Sequence, residues 1–438
     1  MSLQRVVVTG LGCVTPLGHS VRQSWSNLLH SRSGIVPITQ LPNYDCDYRP
    51  HANSIPETTS VGKVAPLAEH SDLFTAQDER RLSTFAKFAV LASREALQTA
   101  KLLQPGSGAV DESQVDAERI GCVIGSGIAS IEDMYSTSVQ FHNERKRVNP
   151  LFVPKILTNM AAGNVSIKFN LKGPSHSAST ACATGNNAIG DAYNLIRLGM
   201  QDACVAGASE ACVHPLSLAG FVRAKSITTT DGVSRPFDRR RSGFVLGEGA
   251  GVVVLESLQH ALRRNAPILA EIRGYGLSSD AYHITSPSPQ GEGASRAISM
   301  ALGQVPPSAI DFVNAHATST LLGDRAECSA IRAALLHTNS SRESPLYVSS
   351  NKGAMGHLLG AAGAVESIFT IMSLRENIIP HTLNLQSVGG ASGDEAENFQ
   401  GLHFVMGEPQ PQNNRYALCN SFGFGGVNTS LLFEKWRD

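Results

Sequence analysis

The sequence predicts an α/β protein made of two similar halves, and three observations carry that expectation. Apolar strand-like runs alternate with helical ones along the chain. At 438 residues and 42% hydrophobic content, the chain could hold one large α/β unit or two to three average domains. A glycine-rich strand pattern also occurs twice, at 244–256 (FVLGEGAGVVVLE) and 422–434 (FGFGGVNTSLLFE), with the same step from Gly247 to Glu256 as from Gly425 to Glu434.

Taken in order, the chain opens on a strand at 5–9 and a glycine turn at Gly10, Gly12 and Gly18. The dinucleotide fingerprint fails, because residue 15 is Thr and no helix starts there. Residues 40–75, rich in Pro, Asn, Ser and Thr, read as a surface excursion. A helix is expected over 76–100, a strand ending in glycines over 119–128, an amphipathic helix over 152–169 and a short apolar strand over 202–211. Such alternation implies βαβ units around a mostly parallel sheet. Residues 175–199 read as strand, tight turn and helix, and 346–374 repeat that plan. Two matched pairs in the same order favour a duplication, with the break near 265–267. The halves are then 1–265, carrying Cys182, and 266–438, carrying His316, Lys352 and His357.

Cys182 stands at the turning point of the 175–199 stretch, at the N-terminus of the expected helix. Unsatisfied N–H groups and the macrodipole there favour a thiolate, which makes the sulfur a better nucleophile. Burial accounts for Cys13, Cys122, Cys204 and Cys212 in apolar strand-like runs and for Cys328 in a helical one. Cys46 falls in a loop. In the second half, His316 ends an apolar strand, Lys352 and His357 share a turn rich in glycine, and NSFGFGGVN (420–428) wraps three glycines around Phe422 and Phe424. Histidines at strand ends beside small-residue turns sit where α/β sheets place ligands. A cysteine, two histidines and a lysine suit acyl-thioester chemistry.

Composition excludes several classes. Lys plus Arg is 36 against 37 for Asp plus Glu, a net charge of −1, so no global basic field points to nucleic acid or an anionic membrane. Eight cysteines without regular spacing argue for reduced thiols in a reducing compartment, and no C-x-x-C pair suggests zinc. No apolar run reaches membrane-spanning length. The N-terminus enters a strand almost at once, so a targeting peptide is expected to be absent or already removed.

The motifs TACATGNN, NAHATST, NKGAMGHLLGAAGAVES and NSFGFGGVN, with DAYHITSP (280–287) and PFDRRRSGFVLGEGAG (236–251), resemble the β-ketoacyl-acyl-carrier-protein synthases of the elongating type II, Cys-His-His group. The resemblance covers essentially the whole chain. It is most similar to mitochondrial members of a fungal kind, which implies the mitochondrial matrix, with a bacterial-type cytoplasm as the alternative. It implies the thiolase fold: duplicated βαβαβαββ halves in five α/β/α/β/α layers, assembled as a homodimer. Cys182 would accept the acyl group, with the N–H groups of Cys182 and Phe424 as its oxyanion hole. His316 and His357 would stabilise the enolate formed when malonyl-carrier loses carbon dioxide. Lys352 would set the site's electrostatics, paired with Glu366. Thr318 and Thr320 would hold the phosphopantetheine arm, Phe422 would line the substrate path and Phe424 would gate it. Ile128 would end the acyl pocket. Arg80, Arg81, Lys146, Arg147 and Lys225 match docking positions for an acidic acyl carrier protein. No metal or organic cofactor is implied, because pantetheine arrives on the substrate. Ala317, where many bacterial members carry Gly, is the main departure.

Two other classes stay open at this level. A biosynthetic thiolase needs a second catalytic cysteine near the C-terminus, for which Cys419 is the candidate. A non-catalytic chain-length-factor-like subunit would lack the active cysteine that Cys182 supplies.

Overall fold

Runs such as VVVTGLGCV and GAGVVVL are apolar or small throughout, so they form strands covered on both faces. The computed structural model describes every residue except 1, 2, 105, 107, 337–341, 343, 390–395 and 438. In the first half the main strands are β1 (Val6–Val14), β2 (Ile120–Gly125), β3 (Ser175–His176), β4 (Ala203–Glu210) and β5 (Gly249–Ser257), and they lie in the order β3-β2-β4-β5-β1. In the second they are β6 (Ala270–Ser279), β7 (Phe312–Asn314), β8 (Tyr347–Ser349), β9 (Tyr416–Gly423) and β10 (Val427–Lys435), in the order β8-β7-β9-β10-β6. Both sets therefore run third, second, fourth, fifth, first. Val6 to Val8 of β1 pair antiparallel with Ile272 to Ala270 of β6, which joins the two sets edge to edge.

The sheet is not mostly parallel, as the alternation suggested. β2 is parallel to β3 and β4, and β7 to β8 and β9. β5, however, is antiparallel to β1 and β4, and β10 to β6 and β9. Only Phe424, Gly425 and Gly426 separate β9 from β10, and so short a connection joins antiparallel neighbours alone.

Six helices complete the layers: α1 (Thr84–Thr99), α2 (Met160–Phe169), α3 (Thr184–Arg197), α4 (Glu292–Leu302), α5 (Leu321–Leu335) and α6 (Ala362–Glu376). α1 and α2 pack on the outer face of the first sheet, and α4 and α5 cover the second. α3 and α6 lie between the sheets, giving five α/β/α/β/α layers. α6 is buried from Ala362 to Leu374, its polar side chains scattered among apolar ones with no polar face to turn to solvent.

Local chemistry breaks several expected elements. The helix expected over 76–100 is two, Ala76–Arg81 and Thr84–Thr99, because Leu82 and Ser83 are extended and Thr75 forms a capping box with Asp78. The segment 152–169 likewise splits into Phe152–Ile156 and Met160–Phe169, with Leu157 extended between them. The excursion at 40–75 contributes a short strand, Ser60–Gly62, and buries Tyr48 and Ile55.

The central helices approach closely through paired glycines. A Cβ on Gly185 would lie 2.4 Å from the Ala364 amide nitrogen, and one on Gly363 would lie 2.4 Å from Ser421 Oγ. In a helix interior, Gly185→Ala gains up to about 1 kcal/mol of propensity. Overpacking of a filled core costs about 1–3 kcal/mol, so the contact should win. We expect Gly185→Ala to lower the urea midpoint with an unchanged slope. A raised midpoint would mean that propensity dominates and that the helices do not meet there.

Candidate active site

A cavity of about 350 Å³ opens where the central helices and the strand ends converge, and Cys182, His316, His357, Thr318, Thr320, Phe422 and Phe424 all line it. Cys182 sits in a 3-10 turn, Ala181–Ala183, and α3 begins only at Thr184. Of the residues leading into it, only Ser175 and His176 are in a strand, because the Thr180 amide bonds Thr184 Oγ1 (2.9 Å) instead of a ladder partner. Thr184 Oγ1 also donates to the Ala181 carbonyl (2.7 Å), clamping a turn whose Ala181 is held at φ 50°. A left-handed non-glycine residue costs of order 1–3 kcal/mol, so the elbow persists through these bonds and the packing around it. Gly423 is obligatory beside it, since a Cβ there would lie 2.5 Å from the Thr180 carbonyl oxygen.

The expectation of a resting thiolate needs correction. Burial pushes the Cys182 thiol up to about 12, and the nearby Glu210 carboxylate adds to it. Lys352's charge and the backbone N–H groups of Phe424 and Cys182 pull the other way without overcoming the burial. The terminus of α3 is thus too weak to offset the burial of the sulfur, and Cys182 rests as a thiol. Cys182 remains partly exposed, whereas Cys13, Cys122, Cys204, Cys212, Cys328 and Cys419 are buried. Cys46 is exposed. Cys212 lies just beyond β4, not within a strand.

His316 follows β7 by two residues, and His357 follows the short helix Lys352–Met355. Their rings meet edge to face at 5.3 Å between centroids, with Phe244 against His357 (5.1 Å) and Phe422 against His316 (5.6 Å). Burial, and then the Lys352 charge, hold both imidazoles well below the usual histidine range. Both are therefore neutral near pH 7, each with one N–H to donate. Nδ1 of each is buried with no hydrogen-bond partner among the described residues. Lys352 is fully buried and forms an ion pair with Glu366 on α6, whose carboxyl is raised by burial and lowered by the lysine.

Two carboxylates that the sequence reading passed over hold the site in place. Glu327 on α5 accepts the N–H groups of His316 (2.9 Å) and Ala317 (2.7 Å) and the Asn420 side chain (3.1 Å), and burial pushes it up to about 7. Glu210, the last residue of β4, accepts from Gly127 N (2.8 Å), Ile128 N (3.1 Å) and Gly360 N (3.1 Å). It ties the loop of Ile128 to the turn ahead of α6. The signal for both was an acidic residue on an otherwise apolar strand or helix face.

Thr318 and Thr320 Oγ1 atoms lie 3.2 Å apart, and Thr320 caps α5. Phe424, 37% exposed, rides a turn whose Gly425 and Gly426 take φ 87° and 75°, values that favour glycine. Ile128 is half-buried and packs against the cluster that holds Cys182 and Leu359. Of the five basic residues singled out for docking, Lys225 lines the cavity mouth. Arg81 is engaged by Asp78 (3.1 Å) and Lys146 by Glu144 (2.6 Å), while Arg80 and Arg147 are exposed. Cys419 lies fully buried in β9, away from the cavity lining, with its thiol pushed up by burial.

Residues 3–261 match the beta-ketoacyl synthase N-terminal domain and residues 269–386 match the C-terminal domain. The chain is 63% identical over 443 residues to the 3-oxoacyl-(acyl-carrier-protein) synthase homolog of Saccharomyces cerevisiae, covering 99% of each. It is 42% identical to the mitochondrial 3-oxoacyl-(acyl-carrier-protein) synthase of Arabidopsis thaliana, covering 99% of this chain and 93% of that one. A beta-ketoacyl synthase crystal structure from Burkholderia phymatum superposes with a TM-score of 0.85 at 32% identity, over 99% of this chain and 100% of the other. An elbow cysteine facing two neutral histidines, in a five-layered fold shared with these proteins from end to end, makes the chain a member of the beta-ketoacyl synthase family.

Proposed function

We propose that this protein is the elongating β-ketoacyl synthase of a type II fatty acid pathway, an acyltransferase that condenses an acyl group with malonyl-acyl carrier protein. The observation that carries it is the convergence of Cys182, His316 and His357 on one cavity beside a buried lysine charge. In this reading Cys182 attacks an incoming acyl thioester while the N–H groups of Cys182 and Phe424 hold the oxyanion, and collapse breaks the acyl–sulfur bond to the first carrier, whose thiol leaves with the proton that Cys182 gives up. Malonyl-carrier then enters. Its carboxylate carbon–carbon bond breaks, carbon dioxide leaves, and the electron pair forms an enolate that receives hydrogen bonds from His316 and His357. The enolate carbon attacks the acyl-Cys182 carbonyl, and collapse of the tetrahedral adduct expels the sulfur and releases β-ketoacyl-carrier.

Lys352 acts here by charge. It adds to the burial that keeps both imidazoles neutral and opposes the burial of the thiol, while Glu366 keeps the lysine from being an unpaired buried charge. Thr318 and Thr320 bind the pantetheine arm along the cavity wall, Phe422 lines the path and Phe424 closes it. No step draws on a metal or an organic cofactor. The fully buried Cys419 favours this reading over a thiolase, and the intact Cys182 favours it over a chain-length-factor-like subunit. Acyl carrier protein as partner and the mitochondrion as compartment rest on the names of the relatives; the homodimer and the division of the chain at residues 265 and 266 belong to the same reading, the latter supported by the matched strand orders.

Cys182→Ala should abolish condensation, and His316→Ala or His357→Ala should lower malonyl decarboxylation by at least roughly 100-fold. Wild-type decarboxylation should stay level from about pH 8 to below the ordinary histidine value of about 6.5, because both folded-state values lie well beneath it. A fall centred near 6.5 would sink the neutral-imidazole step, and retained elongation by Cys182→Ala would sink the assignment.

For chain length, each buried methylene contributes about 0.8 kcal/mol, so closing off four costs roughly 3 kcal/mol, or two powers of ten. Ile128→Phe should therefore use short acyl primers normally and fail beyond medium length. An even loss across all lengths would make Ile128 simple packing.

Lys225→Glu at the cavity mouth should raise the Michaelis constant for carrier-bound substrates, and added salt should do the same to the wild type. Arg80, Arg81, Lys146 and Arg147 extend the same proposed docking face, and reversing Lys146 and Arg147 together should add to the effect. Unchanged kinetics in folded variants would remove the carrier from this face.

A further inference from the structure

Away from the cavity, the turn after β1 meets the 3-10 turn Leu67–His70, and three metal-ligating side chains converge there. His19 Nδ1 lies 2.8 Å from Glu69 Oε1 and 3.2 Å from His70 Nε2, and His70 Nε2 lies 3.4 Å from Glu69 Oε1. These three atoms make a triangle close to one face of a tetrahedral site, whose edges are roughly 3.3 Å for bonds of about 2.0–2.1 Å.

Hydrogen-bond accounting calls for a positive centre within this triangle. His19 Nε2 faces the Ala65 carbonyl oxygen at 3.1 Å, an acceptor alone, so that nitrogen carries the hydrogen. In the neutral ring Nδ1 then presents a lone pair to the Glu69 carboxylate, which also only accepts. A second proton on Nδ1 would relieve that contact. It would then oppose the hydrogen that His70 holds on Nε2 while its Nδ1 faces the Arg94 guanidinium, 3.4 Å away. A divalent cation takes lone pairs from all three atoms at once. It also leaves His19 Nε2–H donating to a backbone carbonyl, the usual outer partner of a ligating histidine. His70 Nδ1 would then carry hydrogen, and Arg94 would give up its long contact while keeping Asp72 at 2.8 Å.

We propose that His19, Glu69 and His70 form a binding site for a transition-metal dication of the zinc class. Two imidazoles and one carboxylate suit zinc, cobalt, nickel or copper over magnesium or calcium. His19 is nearly buried and Glu69 is 66% exposed, so the fourth position opens to solvent, where water completes the set. None of the three lines the catalytic cavity. The ion would fasten the 63–75 segment to the end of β1, a structural and not a catalytic part.

The test uses the full-length Cys182→Ala protein, stripped with a chelator, so that the cavity thiol does not compete. Co²⁺ is titrated by its visible absorption and then displaced with Zn²⁺, and melting is followed with and without Zn²⁺. One equivalent should bind with a tetrahedral spectrum and raise the melting temperature, while Mg²⁺ leaves it unchanged. His70→Ala and Glu69→Gln, both at partly exposed positions, should each weaken Co²⁺ binding by more than the roughly 100-fold that loss of an outer partner can cost. No stoichiometric binding of either ion, or parental affinity in either variant, overturns the site. A Mg²⁺ shift equal to that of Zn²⁺ overturns the metal class.

Discussion

A single buried charge governs the chemistry of this site. Lys352 is wholly out of water, and its partner Glu366 stands on a helix with no polar face. Neither could be buried alone, since an unpaired ion in the interior costs several kcal/mol. Once paired, the ammonium acts at a distance on three groups that it does not bond. It helps keep His316 and His357 neutral, and it works against the burial that protects the Cys182 thiol.

Around that pair, the fold uses carboxylates as staples for backbone. Glu327 fixes the segment that carries His316, and Glu210 fixes the loop of Ile128 and the turn ahead of α6. Each accepts several N–H groups whose strands have ended, which answers where those donors go once the ladder stops. The histidines and cysteine therefore hang on strand ends and turns whose positions are set by helices from other layers.

Much of this was legible in the chain. Cys182, His316, Lys352 and His357 all sit in runs of small residues that only a close-packed turn requires, and the twin glycine strands betrayed the duplication. Three things were hidden. Leu82 and Leu157, ordinary helix residues, end their helices by turning extended themselves, with nothing in either side chain to announce it. Strand direction was misjudged because apolar runs look alike whether their neighbours run with or against them. The protonation of Cys182 depends on how much protein covers it, and that cover comes from segments far away in sequence. Glu210 and Glu327 escaped notice because an acidic residue in isolation reads as surface.

The two elbows of the molecule are not equal. Leu359, at φ 47°, repeats the strained geometry of Ala181, and Gly360 then stands where Cys182 would. A side chain there has no room, since a Cβ on Gly360 would lie 2.6 Å from Glu210 Oε2 and 2.8 Å from Gly127 N. Where the first elbow has a cysteine, the second has a glycine whose amide donates to Glu210. Although the architecture is doubled, only the first elbow carries a sulfur, so under the proposed mechanism acyl loading counts chains and not halves.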